Sequence, residues 1–211
     1  LNLDVLLSRD SGKLSVALYG MIDAMIAHMF MKDVTNAQGK IDINTEVQGK
    51  LLNSMGELEV DLEKFKVGGS IEVVEPILLE MASLSEPIEL NKGGVIKIAE
   101  SKECALGTDC IVIPKNQALS GNVMGGNFII FADIARTGVI PGAASLSVTA
   151  NNVNFRMKDE LSLALSPDIR LTSDDILKFT NTRVAGDIDI AEARYRKNFD
   201  DGSSNLIKDM I

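Results

Sequence analysis

The sequence predicts a mainly β protein, an antiparallel sandwich, barrel or stacked sheet, with one N-terminal amphipathic α-helix packed on the sheet. Three observations carry this. From residue 39 onward apolar side chains alternate with polar ones, the period of a half-buried strand. Clusters of Gly, Pro and Asn punctuate these runs at short intervals. The interior has to be aliphatic, because hydrophobic residues make up 45% of the chain and aromatics only 4%, with no Trp.

Residues 1–7 read Leu-Asn-Leu-Asp-Val-Leu-Leu, which puts Leu1, Leu3, Val5 and Leu7 on one face of a strand. Asp10, Ser11 and Gly12 then turn the chain. The segment reads as an edge strand of its own sheet or as a donor strand that completes a neighbour's. Leu1, Leu3, Val5 and Leu7 are therefore the candidate subunit contacts.

Residues 14–32 form the one long apolar stretch. On a helical wheel Leu18, Tyr19, Ile22, Met25, Ile26, Met29 and Phe30 share one arc, and Gly20, Asp23, His28 and Lys32 take the opposite half. That segregation predicts an amphipathic helix over 14–32 rather than a membrane span, in which a central Asp23 would cost about 3 kcal/mol.

Strands are expected across 39–199. Ile41, Ile43, Thr45 and Val47 begin the alternation, and Ile71 with Val73, Ile96 with Ile98, and Ile111 with Ile113 continue it. Phe128–Phe131 is a solid apolar run, as a buried central strand requires. Leu146 and Val148, then Leu161, Leu163 and Leu165, then Ile188 and Ile190 complete the series. Residues 75–85 read as strand or helical turn. Thr172–Asp175 resembles an N-cap opening a short helix through Phe179. Gly39-Lys40-Ile41-Asp42-Ile43 echoes Gly186-Asp187-Ile188-Asp189-Ile190, too little to define a repeat period. With no linker rich in Pro, Gly or Ser, residues 1–211 are expected to form one β-rich domain.

Cys104 and Cys110 flank five residues that include Gly107 and Asp109, spacing that suits a loop between two strands. A disulfide there would stabilise by about 2–3 kcal/mol in the chain-entropy account. An even, closely spaced pair predicts an oxidising, extracytoplasmic compartment. The chain opens at Leu1 without a charged-then-apolar leader, which is the expectation for an exported chain whose signal has been removed.

The net charge of −9 disfavours nucleic acid. Acidic residues concentrate between Glu57 and Glu89, while Arg183, Arg194, Arg196 and Lys197 form a small basic counterpart. These patches read as solvated faces, or as partners that meet within one subunit or between copies.

Catalytic chemistry finds little support. His28 is the single histidine, so a histidine general base, a Ser-His-Asp triad or a histidine-rich metal site would each need it or more, and a surface or boundary histidine is the commoner reading. No Walker loop, dinucleotide fingerprint or nucleophile elbow occurs. Asp200, Asp201, Ser203 and Asn205 resemble a calcium loop but lack its closing bidentate Glu. The expectations are therefore no enzyme activity, no cofactor and no metal.

Two functions fit this pattern. The first is a structural, self-assembling extracytoplasmic subunit of a pilus-like or other surface fibre, with copies of itself as partners, through terminal strand exchange. The second is a lipid- or apolar-ligand-binding β module, in which a Met-rich helix and a curved aliphatic sheet enclose the ligand. A hydrolase built on paired carboxylates ranks last, since sugars are normally held on aromatic platforms.

Overall fold

The computed structural model of the chain describes residues 1–8, 12–26, 31–52, 57–100, 104, 108–157, 161–178 and 181–195. Along them run β1 (Asn2–Leu7), β2 (Lys13–Asp23), β3 (Val34–Gln38), β4 (Lys40–Lys50), β5 (Lys66–Val73), β6 (Ile77–Met81), β7 (Ile88–Leu90), β8 (Val95–Ala99), β9 (Cys110–Ile113), β10 (Leu119–Val123), β11 (Gly126–Thr137), β12 (Ile140–Asn151), β13 (Val153–Met157), β14 (Leu161–Ser173) and β15 (Arg183–Tyr195). All fifteen join one curled antiparallel sheet.

The main path runs β1-β2-β4-β5-β8-β9-β11 and continues through β12, β14 and β15. A branch runs from β11 through β10, β7 and β6 to β3. β11 is long enough to hold both: Val123–Leu119 of β10 pair with its first half, Cys110–Ile113 of β9 with its second, and β12 takes its other edge.

The N-terminal helix expected over 14–32 is not found. Lys13–Asp23 is strand, a 3-10 turn follows at Ala24–Ile26, and 27–30 fall outside the described residues. Leu14, Val16, Leu18 and Ile22 alternate with Lys13, Ser15, Tyr19 and Asp23, so the stretch satisfies a period of two as well as one of 3.6. β4 pairs with it along all eleven residues, from Lys13 opposite Lys50 to Asp23 opposite Lys40. Gly20 sits at φ +119°, outside the helical region. A complete cross-strand ladder outweighs a helical moment.

Within residues 75–85, Ile77–Met81 form strand β6. The helix expected from Thr172 is also absent: β14 runs through Ser173, and Asp175 Oδ1 accepts the N–H groups of Leu177 (3.0 Å) and Lys178 (3.3 Å) in a single turn. Phe179 lies outside the described residues.

Three bent strands give the sheet its curl. β3 and β4 are one strand kinked at Gly39, whose φ of +106° leaves no room for a side chain; a Cβ would stand 2.2 Å from the Pro76 carbonyl oxygen. β5 and β6 are kinked opposite it, at Val74–Pro76. The ladder β5-β8-β9-β11-β10-β7-β6 therefore returns to the strand on which it began. Inside this loop of strands Ala24, Val34, Ala37, Val73 and Ile77 are buried, packed with Ile41, Leu79, Met81, Leu90 and Leu119. The third kink, at Asn152 (φ +55°), divides β12 from β13. Both pair with β14, β13 with Leu161–Leu165 and β12 with Asp168–Ser173. Pro167, which has no N–H to donate, falls in the gap between the two ladders. Beyond this point β12, β14 and β15 form an open wing.

Candidate functional site

The residues of the closed core identify the inner face of the curl, because Ile41 and Val73 of the main path pack there against Leu79, Leu90 and Leu119 of the branch. Register then traces that face across the sheet. One row links Leu3, Leu18, Thr45, Gly69, Ile98, Ile111, Ile134 and Ala144, strand by strand from β1 to β12. On the wing Ile130, Val148 and Ile169 form another row, and Ala132, Leu146, Leu171 and Val184 a third. Side-chain alternation sends the intervening residues outward. The matching outer row is Lys97, Val112, Asp133, Ser145, Thr172 and Arg183. The sheet is thus aliphatic inside and largely polar outside.

The closed part buries Ala24, Val34, Ala37, Val73 and Ile77, and exposure of the inner face rises toward the edge of the wing. Leu146, Val148, Ile169 and Leu171 are half-buried. At the outermost strand Val184 is 68%, Ile188 55% and Ile190 59% exposed.

One end of the curl is held shut by two buried side chains. The Phe65 ring lies on the inner face against Gly49, where a Cβ would come within 2.6 Å of it. Arg136 spans the gap between strands. Its Nη2 donates to the carbonyls of Val67 (2.6 Å) and Ala99 (3.4 Å), its Nη1 donates to Gly138 (2.7 Å), and the side chain is 3% exposed. Asp109 approaches the same guanidinium at 3.7 Å, and its carbonyl accepts the Arg136 N–H at 2.7 Å. Asp109 sits in the loop between β8 and β9 that the Cys104–Cys110 disulfide closes, as expected; the two Cα atoms are 5.9 Å apart. Cys110 is fully buried.

At the same end a cleft of about 1000 Å³ opens between the ends of β1, β2, β4 and β5 and the segment that connects β4 to β5. Lys13, Lys50, Lys64 and Lys66 line it, with Glu59, Asp61, Ser15, Gln48, Leu6, Leu14 and Leu52. Lys64 pairs with Asp61 at 2.8 Å, which raises the ammonium pKa and lowers that of the carboxyl. Glu46, beside the cleft, accepts from Gln48 Nε2 (2.7 Å) and Ser15 Oγ (2.9 Å), bonds that hold its pKa below the ordinary value.

The residues singled out from sequence are only partly brought together. Leu3, Val5 and Leu7 share the inner face of β1 and pair within their own chain, opposite Leu18, Val16 and Leu14; Leu1 precedes the strand. Among the described residues the outer edge of β1 carries no partner strand. Within the charge patches Asp61 pairs with Lys64, Glu75 with Lys40, and Arg194 with Glu192. His28, Arg196, Lys197, the acidic loop at 200–205 and the apolar tail lie outside the described residues. Among the described residues no three His, Cys, Asp or Glu side chains are grouped to hold a metal, and no helix is long and apolar enough to cross a membrane. Sequence reading missed Arg136 and the lysine cleft. A lone Arg in the run from Phe128 to Thr137 was the available signal for the first; the second depends on pairing register.

No family model matches this chain, and neither the curated proteins nor the solved structures include a match to it.

Proposed function

We propose that this chain is a non-catalytic apolar-ligand-binding module whose open wing receives hydrocarbon chains on its inner face. One observation carries the reading: the aliphatic rows of the closed interior continue in register onto β12, β14 and β15, where Val184, Ile188 and Ile190 stand exposed. Exposed contiguous apolar surface marks a binding surface in a folded protein. Aliphatic rows without aromatic platforms suit flexible acyl chains better than planar ligands. Burying a chain there is worth about 0.8 kcal/mol per CH₂. Native mass spectrometry of the purified chain, with titration of a long-chain fluorescent probe, tests the reading. Apolar molecules should co-purify, and Val184→Asp with Ile188→Asp should weaken the probe about tenfold or more while circular dichroism is unchanged. A chain that carries nothing and binds no probe would overturn it.

Self-association is a second reading, favoured by the outer edge of β1, which has no partner strand among the described residues, and by Leu3 and Val5, exposed at 62% and 60%. An exposed strand edge is a template for pairing. The disulfide supports an extracytoplasmic setting for such assembly. Removing residues 1–7 and measuring particle size tests it; assembly that persists unchanged would sink exchange through this strand.

A further inference from the structure

The outer face around the cleft departs from the charge balance of the rest of the chain. Lys13 and Lys50 are direct cross-strand partners, and like charges so placed repel. The adjacent row on the same face runs Leu6, Ser15, Gln48, Lys66 across four strands. Lys66 therefore stands diagonally beside Lys50, and three ammonium groups converge on one cleft. Ser15 and Gln48, their neutral neighbours in the lining, both donate to Glu46, which stands one row further along the same face. The fourth lysine is already matched by Asp61. Among the described residues Lys13, Lys50 and Lys66 form no ion pair. Glu59 is the one further carboxylate in the lining, so the cleft keeps a positive balance in a chain of net charge −9, and an anion would offset it.

The apolar lining narrows the ligand. Leu6 breaks a polar face and is 70% exposed, and Leu52 lies across the cleft on the segment after β4. We propose that the cleft binds an alkyl phosphate monoester, its phosphate on Lys13, Lys50 and Lys66 and its alkyl chain against Leu6 and Leu52. Lysine ammoniums suit a tetrahedral dianion, which accepts from several directions at once. The cleft admits a single molecule more readily than a bilayer surface, since Glu57 and Glu63, on the flanking segment but outside its lining, repel an anionic leaflet.

Isothermal titration with octyl phosphate, octanol and inorganic phosphate tests this, alongside co-sedimentation with phosphatidylcholine vesicles containing phosphatidylglycerol. Octyl phosphate should bind at least about tenfold more tightly than octanol or inorganic phosphate, and more weakly as salt rises. Lys13→Gln with Lys50→Gln should erase the difference between octyl phosphate and octanol while leaving octanol binding as it was. Octanol then reads the aliphatic face and the difference reads the cleft, so each can fail without the other. Removing a repelling pair does not threaten the fold, and an unlowered Tm of the double variant verifies that. Equal binding of octyl phosphate and octanol, an unchanged difference in the double variant, or vesicle binding without octyl phosphate binding would each overturn the proposal.

Discussion

Phe65 occupies the space that a side chain at Gly49 would need. The two residues face each other on the inner surface at the end of β4 and the start of β5, and the buried ring covers a strand position that has no side chain of its own. Gly49→Ala should cost about 1–3 kcal/mol by overpacking. Phe65→Ala should cost about 3–5 kcal/mol by opening a cavity. Because the residues touch, the double variant should lose less than the sum of the two. Urea unfolding of the three variants measures this, and strict additivity would show that the ring does not depend on the glycine.

Arg136 replaces missing strand pairing. Where β5, β8 and β11 diverge, its guanidinium supplies donors to the Val67, Ala99 and Gly138 carbonyls. Arg136→Met keeps the bulk and removes the donors, and should cost about 3–5 kcal/mol. Arg136→Lys should recover little, because one ammonium cannot reproduce the planar fork. A thermal melt in which the lysine variant matches the parent protein would contradict this role.

The sheet was legible and its closure was not. Alternation at Ile41–Val47, Ile96–Ile98 and Leu161–Leu165 reports each residue's own face, a local property, and β4, β8 and β14 appear where it places them. The helix expected at 14–32 rested on Leu18 and Ile22, which belong to the alternating series with Leu14 and Val16 yet also share a wheel arc with Tyr19, Met25 and Ile26; only the β4 partner decides between the two periods. Cys104 and Cys110 were readable as a pair since their separation alone fixes the loop. Lys13 and Lys50, thirty-seven positions apart by number, become neighbours only through register, which no local pattern encodes.

The Cys104–Cys110 bond constrains a short loop, so its removal should be felt modestly in stability and more sharply in the placement of Asp109. A sequence separation of six gives about 2 kcal/mol in the chain-entropy account. Cys104→Ser with Cys110→Ser should lower Tm accordingly. Cys110 is fully buried, so its single replacement should cost more than that of Cys104. Melting with and without reductant checks the first point, and a Tm that does not move would show that the loop is held by Arg136 alone.

Alkaline pH should loosen β1 before the rest of the sheet. The Tyr19 hydroxyl donates to Asp4 Oδ2 at 2.9 Å, tying β1 to β2 on the outer face. That hydrogen bond, and then the charge of Asp4, raise the Tyr19 pKa above its ordinary 10.0. A group whose pKa is raised by folding contributes its stabilisation fully below the unfolded value and loses it as pH climbs through the folded one. The tie is therefore intact at neutral pH and lost above about 10, where the phenolate and the carboxylate repel. Lys40, raised by its bond to Glu75, should release in the same direction as pH climbs through its folded value. Glu46 and Asp61, whose pKa values are lowered, act in the opposite sense and weaken the other end of the pH range, as pH falls through the acid limb. Ultraviolet titration of the tyrosines, with Tyr19→Phe to subtract Tyr195, measures the shift. Methyl resonances of Leu3 and Val5 should broaden or move over the same interval in the parent protein, and in Tyr19→Phe they should lose that pH dependence. A Tyr19 that ionises like free tyrosine would remove this account of how β1 is held.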